Sequence, residues 1–202
     1  MRVFLLNTHT VTGDMLQKWA ATLPPFRKAA AARCRRPLHY LQTVAGFCLV
    51  RYAVRQIAPD ADTEQWHTGE NGKPCLPAGT PHFSLSHTDH IIAVGVSDEV
   101  EIGVDIEEIK PRSKGFAARY CSVAECSRIV ASHDPHSELI RIWSAKEAEA
   151  KRIGTGLTGD IRRIPSENSH SIPVECNGAA HWLSLSPRPL SHPVVWVNAA
   201  EL

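Results

Sequence analysis

Apolar positions along the chain fall into short blocks whose period changes from two to about 3.6 and back again. Val3–Leu6 is a short continuous apolar run, the mark of a buried strand. A helical pattern follows over Gly13–Leu23 and ends at Pro24-Pro25. From Phe26 to about Ile57 the chain is rich in Ala, Arg, Leu and Val, which predicts one or two helices, with Pro37 interrupting or opening one. Leu41, Val44, Ala45, Cys48, Leu49 and Tyr52 share one face at helical spacing. Residues 58–82 read as turns and short strands. Phe83-Ser84-Leu85 then leads into Ser86-His87, Ile91–Val96 is an apolar strand, and Ser97-Asp98-Glu99 is a turn. Val100–Ile106 alternates strictly, with Val100, Ile102, Val104 and Ile106 on one face and Glu101, Gly103, Asp105 and Glu107 on the other. Helical patterns recur around Gly115–Tyr120, Val123–Ser132 and Ser137–Ile153. The last 45 or so residues predict short strands, Val194–Val197 being the clearest. This order predicts an α+β protein of two similar-sized halves, residues 1–103 and 104–202.

Composition narrows the class without naming a partner. With 43% hydrophobic and 21% charged residues among 202, the chain is neither disordered, nor collagen-like, nor membrane-spanning. The formal net charge of +1 conceals a split. Between Asp14 and Asp60 there is no acidic residue, while Lys18, Arg27, Lys28, Arg33, Arg35, Arg36, Arg51 and Arg55 all fall there. Residues 60–202 carry the compensating acid excess. Such a basic segment suits nucleic acid or an acidic protein equally well. The six cysteines form no C-x-x-C pair and no metal-ligand spacing, as expected of reduced thiols in the cytoplasm. The N-terminal apolar run is too short for a signal peptide, and no 18-residue apolar stretch follows.

Four small constellations could carry chemistry, and each also has an ordinary structural reading. Asp105 and Glu107 lie two apart on an extended chain, so both carboxylates leave the same face, roughly 7 Å apart at Cα. Two carboxylates so placed repel unless a cation lies between them, and hard oxygen ligands suit Mg²⁺. The alternative is the solvated face of a half-exposed strand. Gly103 on that face would allow another backbone or a ligand to approach closely. In Trp143-Ser144-Ala145-Lys146-Glu147-Ala148-Glu149-Ala150-Lys151, residues 143, 147 and 151 line one helical stripe. That stripe gives either a surface Glu147–Lys151 ion pair or a metal ligand beside a phosphate-binding lysine. Ser86-His87 at a strand end can hold phosphate oxygens; no G-x-S-x-G elbow surrounds the serine, which argues against a hydrolase. In Glu70-Asn71-Gly72-Lys73-Pro74 the Asn-Gly pair is a turn signal, and Lys73 reads as a loop lysine.

Taken in order, Gly72-Lys73-Pro74, Phe83-Ser84-Leu85-Ser86-His87, Gly103-Val104-Asp105-Ile106-Glu107, Trp143-Ser144-Ala145-Lys146-Glu147 with Lys151, and Gly154-Thr155-Gly156-Leu157 resemble the 4′-phosphopantetheinyl transferases. The likeness is to the longer type that serves carrier proteins of fatty-acid, polyketide or nonribosomal peptide synthesis. The resemblance implies a pseudo-twofold α+β fold with coenzyme A in the cleft between its halves. It implies Mg²⁺ on Asp105, Glu107 and Glu147, Lys151 near the coenzyme A pyrophosphate, Ser86 and His87 on phosphate, and Lys73 at the coenzyme. Trp143 and Lys146 belong to the motif as supporting residues. Where the family commonly has a basic residue, Gln42 stands before Gly46, Val50 and Arg51; Arg33, Arg35 and Arg36 are then the candidates for the 3′-phosphate. The implied reaction is Mg²⁺-dependent transfer of 4′-phosphopantetheine to a serine of an acidic apo acyl or peptidyl carrier protein. Glu147 serves as base or only as metal ligand, and Asp105, Glu147 and Lys151 carry the catalytic roles. The expected protein is a monomer, with neither nucleic acid nor membrane as partner. A non-catalytic coenzyme A or carrier-binding module, or a Mg²⁺-dependent phosphodiesterase acting on holo carrier, are the alternative readings.

Overall fold

The computed structural model describes residues 1–69, 72–77, 81–156, 160–188 and 194–202. The apolar run at the N-terminus forms β1 (Arg2–Asn7), with its four central residues buried. Helix α1 (Gly13–Thr22) starts where the Thr12 hydroxyl accepts from the Met15 amide. Pro37 divides the Ala/Arg/Leu-rich stretch into two helices, as the sequence suggests, while Pro25, which the sequence reads as a stop for α1, is also a helix start. Pro25 opens α2 (Pro25–Ala32) and Pro37 opens α3 (Pro37–Arg55), each at a position whose missing N–H has no intrahelical partner to lose. A small ribbon, β2 (His67–Thr68) with β3 (Pro74–Cys75), precedes β4 (His82–His87) and β5 (Ile91–Ser97). Then follow β6 (Gly103–Glu108), α4 (Phe116–Tyr120) and α5 (Val123–Ala131), the last with a Ser122/Glu125 capping box. Helix α6 (Pro135–Ile153) is capped by Asp134 and stopped by Gly154 at φ +71°. Strands β7 (His170–Cys176), β8 (Ala179–Ser186) and β9 (Val194–Trp196) complete the chain.

The class is α+β. One sheet runs β4-β5-β1-β9, with β1 antiparallel to β5 and parallel to β9; the other runs β6-β8-β7, antiparallel throughout. The pleat of β1 sorts its side chains into two cores. Phe4 and Leu6 join Ile92 and Val94 beneath the apolar face of α3, around Phe47, Val50 and Val54. Val3 and Leu5, with Ile91 and Ala93, face the second sheet at Val104, Ile106, Leu183 and Leu185. The layers therefore run α3, first sheet, second sheet, α6. Among the described residues no helix is long and apolar enough to cross a membrane.

One sequence expectation is corrected. The alternating segment enters the sheet only at Gly103; Val100 is 45% exposed and Glu101 lies outside the strand. Its polar face is not solvated either: Gly103 and Asp105 are buried because α6 lies across them. Gly103 makes that approach possible, since a Cβ there would come within 1.8 Å of the Ala148 carbonyl oxygen and 2.6 Å of the Arg152 amide nitrogen. Towards the C-terminus, the short strand expected at Val194–Val197 is present as β9 on the sheet edge, and β8 is the longest strand of that region. β9 also carries the last residues of the chain back to the first sheet, beside β1.

Candidate active site

Strand β6 delivers Asp105 and Glu107 to one face, and α6, lying on that face, delivers Glu147 and Lys151 one helical turn apart. Strand β4 approaches from the other side. The Ser84 hydroxyl accepts from the Val104 amide at 2.9 Å, which sets Ser86 opposite Asp105. Carboxylate oxygens of Asp105, Glu107 and Glu147 all lie within 4.8 Å of one another. Asp105 is 2% exposed. Its Oδ1 accepts from Ser86 Oγ at 2.9 Å and from Lys151 Nζ at 2.6 Å, while its Oδ2 is buried without a hydrogen-bond partner. Glu107 Oε1 accepts from the Trp143 indole at 3.0 Å, and Oε2 from the Arg112 guanidinium. Lys151 Nζ is also 4.0 Å from Glu147.

Crowding acids where α6 meets β6 shows in the protonation of Glu147 and Glu107. Burial, then the Asp105 charge, push the Glu147 carboxyl up to about 8, against the opposing pull of Lys151. Burial and Asp105 also raise Glu107, with Arg112 and Trp143 pulling the other way. His87 is held below its ordinary value by burial and then by the Lys151 charge, which favours the neutral imidazole. A divalent cation would relieve the mutual repulsion of the acids. The unpartnered Asp105 Oδ2, inside an all-oxygen donor set, fits a hard cation such as Mg²⁺.

Three concavities meet along β4 beside this cluster. One, of about 240 Å³, is lined by Gly72, Lys73, Pro74, Leu85, Lys151 and Gly154. A second, of about 360 Å³, is lined by Arg27, His39, Gln42, Thr43, Leu85 and His87. A third, of about 170 Å³, is lined by His87, Thr88, Glu107, Lys110 and Arg112 among others. The structure thus brings Ser86, His87, Asp105, Glu107, Glu147 and Lys151 together. Lys73 reaches the first wall with its stem, but its ammonium is committed to Glu101 and to the carbonyls of Ile102 and Arg152. Arg33 and Arg36 are the C-cap of α2 and the N-cap of α3, exposed and outside these linings, as is Arg35. The cation on that wall is Arg27, which donates to the Thr43 carbonyl at 2.8 Å and stacks over Trp66. Gln42 is buried and donates to the Thr88 carbonyl at 2.9 Å, so it fixes the turn after β4. Glu70, Asn71 and Leu157, from the motif stretches, lie outside the described residues.

The supporting motif residues have structural work. Lys146 is fully buried; its ammonium donates to the carbonyls of Ile161 and Ile164 at 3.1 and 2.6 Å and pairs with Glu125 at 2.9 Å. Trp143 holds Glu107 and packs edge-on against Phe116. Sequence reasoning missed Arg112, whose only signal was a cation just past the Pro111 that follows the strand. It also missed Arg27, hidden among eight basic residues.

The profile of the 4′-phosphopantetheinyl transferase superfamily matches residues 101–189, which include all three acids and Lys151. The 4′-phosphopantetheinyl transferase ffp of Bacillus subtilis is 35% identical over 133 residues, which cover 62% of this chain and 59% of that protein, under two thirds of its length. The 4′-phosphopantetheinyl transferase psf-1 of Bacillus pumilus is 30% identical over 166 residues, 78% of this chain and 71% of that protein. The 4′-phosphopantetheinyl transferase AcpT of Escherichia coli O157:H7 is 35% identical over 169 residues, 81% of this chain and 82% of that one. With identity at that level sustained along most of a relative's length, and with the acid cluster inside the matched stretch, the chain belongs to the 4′-phosphopantetheinyl transferase superfamily.

Proposed function

We propose that the protein transfers 4′-phosphopantetheine from coenzyme A to a serine hydroxyl of an apo acyl or peptidyl carrier protein, in a reaction dependent on Mg²⁺. The observation that carries this reading is the convergence of Asp105, Glu107 and Glu147 with Lys151 where the concavities along β4 meet. Asp105, Glu107 and Glu147 would hold the ion, which when bound would neutralise the pyrophosphate and draw charge from the phosphorus under attack.

The chain's own groups supply the rest. Lys151 and Ser86, both on Asp105 Oδ1, are placed to pass from the carboxylate to phosphate oxygens and offset the charge that builds on the leaving group. His87, facing the second and third concavities, adds a donor to the same phosphates. Glu147 takes the serine proton. The serine oxygen bonds to the pantetheine-bearing phosphorus, the bond from that phosphorus to the bridging oxygen breaks, and adenosine 3′,5′-bisphosphate leaves with the electron pair. On this reading, residues 1–103 and 104–202 form two pseudo-symmetric halves, with coenzyme A between them. The basic segment of the first half draws in coenzyme A and an acidic carrier, and one chain carries the whole site.

Apo and holo carrier, incubated separately with coenzyme A and Mg²⁺ and weighed by mass spectrometry, test the proposal. The apo carrier should gain one phosphopantetheine and the holo carrier should be unchanged. Asp105→Ala and Glu147→Ala should each abolish the gain. Full activity of either variant, or loss of the group from the holo carrier, would overturn the assignment.

A further inference from the structure

Glu107 differs from its two partners in the acid cluster. Asp105 keeps one buried oxygen unpartnered, whereas both oxygens of Glu107 are taken, Oε1 by the Trp143 indole and Oε2 by Arg112. The Trp143 bond is part of the scaffold, since that ring is buried against Phe116 and Tyr120. The Arg112 bond is of another kind. Arg112 lies in the irregular segment after β6, on the wall of the concavity it shares with His87, Thr88, Lys110 and Glu107. Its guanidinium lies 5.5 Å from the Phe116 ring, and its Nε is buried without a hydrogen-bond partner. Glu107 is therefore what holds this cation in place among the described residues, and that hold occupies the one Glu107 oxygen not committed to the scaffold.

We propose that Arg112 is a latch on the acid cluster: in the metal-free protein its guanidinium occupies the Glu107 oxygen that a divalent cation needs, and so sets the affinity of the site for that cation. The proposal rests on the reading of Asp105, Glu107 and Glu147 as a metal site. Together, Lys151 on Asp105 and Arg112 on Glu107 give the three acids two resident cations. An incoming divalent ion must displace the second of them. Opening the latch also frees a guanidinium, a planar donor suited to an anion seated in the adjoining concavity.

Titration of the purified protein with Mn²⁺, without coenzyme A or carrier, followed by electron paramagnetic resonance of the free ion, reads the affinity directly. Arg112→Gln should tighten Mn²⁺ binding about three- to tenfold, the range expected when a partly exposed, charge-assisted competitor is removed. Arg112→Lys should fall between the two, because an ammonium cannot match the planar fork. Lys110→Gln removes a charge on the same wall, but one paired with Glu108; it should stay within about twofold of the unaltered protein. Unchanged or weaker binding in Arg112→Gln, or equal tightening in Lys110→Gln, would overturn the latch. If Arg112→Gln fails to fold by circular dichroism, Arg112→Lys decides alone. Absence of Mn²⁺ binding by the unaltered protein would instead overturn the metal-site reading, and the latch with it.

Discussion

Replacing Gly103 by alanine is the sharpest perturbation of the site that touches none of its functional groups. The added Cβ would lie 1.8 Å from the Ala148 carbonyl oxygen and 2.6 Å from the Arg152 amide nitrogen, where ordinary contact begins near 3.4 Å. Both obstacles are backbone atoms of α6, so no rotamer change relieves them. Either α6 lifts from β6 by an ångström or more, or β6 withdraws into the core against Gly95, where a Cβ would itself come within 2.4 Å of Val104 Cγ2. The strand has no slack on that side, so the helix must move. Overpacking of this kind costs about 1–3 kcal/mol, which for a chain this long lowers the melting temperature by roughly 3–10 °C. The larger effect falls on geometry. Glu147 and Lys151 ride on α6 while Asp105 and Glu107 ride on β6, so lifting one from the other opens the acid cluster and stretches the 2.6 Å Lys151–Asp105 bond. Misplacement by about 1 Å costs on the order of 100-fold in rate. The expected result for Gly103→Ala is a folded protein with turnover down about 100-fold and weakened Mn²⁺ binding. Circular dichroism melts, phosphopantetheine transfer by mass spectrometry and Mn²⁺ titration check it. A variant with unaltered turnover and metal affinity would show that the helix–strand approach does not position the site.

Three further outcomes are expected. Lys146→Met takes the 2.9 Å ion partner from buried Glu125, leaving only the partly exposed Arg128 at 4.0 Å, and removes the donor on the Ile164 carbonyl, so it should cost about 3–5 kcal/mol in urea unfolding. Adding Glu125→Gln should recover part of that loss. Glu147 has a folded-state value of about 8 against an ordinary 4.5, so the folded metal-free protein binds this proton more tightly than the unfolded chain. Its contribution to stability is therefore full below about pH 4.5 and is lost as pH rises towards 8, while Mg²⁺ affinity rises over the same window. Melting temperatures across that range should show this slope without Mg²⁺ and a shallower one with it, and Glu147→Gln should flatten the metal-free slope. Replacing Arg33, Arg35 and Arg36 together by Gln should raise KM for an acidic carrier and lessen its dependence on ionic strength, with kcat within about twofold; an unaltered salt response would count against steering by this segment.

Local signals were most legible where one element declared itself. Pro24-Pro25 marked the end of α1 and Pro37 a helix start, the helical pattern marked α3 and α6, and the run at Val3–Leu6 marked a buried strand. The motif residues came out together because they sit on regular elements: Asp105 and Glu107 on a strand, Glu147 and Lys151 on a helix. What sequence reasoning lost was set by contacts distant along the chain. Alternation on β6 reads as one buried and one wet face, yet α6, some forty residues on, covers the second. Arg112, Arg27 and the Lys73 ammonium each take their meaning from a partner no local pattern names: Glu107, the second cavity wall, and Glu101 with two carbonyls.

The lysines of α6 show why residue type alone underdetermines chemistry. Lys146 and Lys151 are five positions apart, or about 140° around the helix, so they face different neighbours. The face of Lys146 is sealed by the 161–164 segment and by Glu125, and every proton of its ammonium has an acceptor. An ammonium so held is unavailable to a substrate. The face of Lys151 opens on a concavity, and its ammonium holds one oxygen of an acid whose other oxygen has no partner. Such a cation can pass to a phosphate without stranding a buried charge, because a divalent ion on the same acid would take over its neutralising role. On the proposed metal site, the same exchange would apply to Arg112 on Glu107. The two resident cations of the cluster are the ones whose partners a divalent ion would neutralise in their place, whereas Lys146, whose partner Glu125 lies outside that cluster, stays where folding puts it.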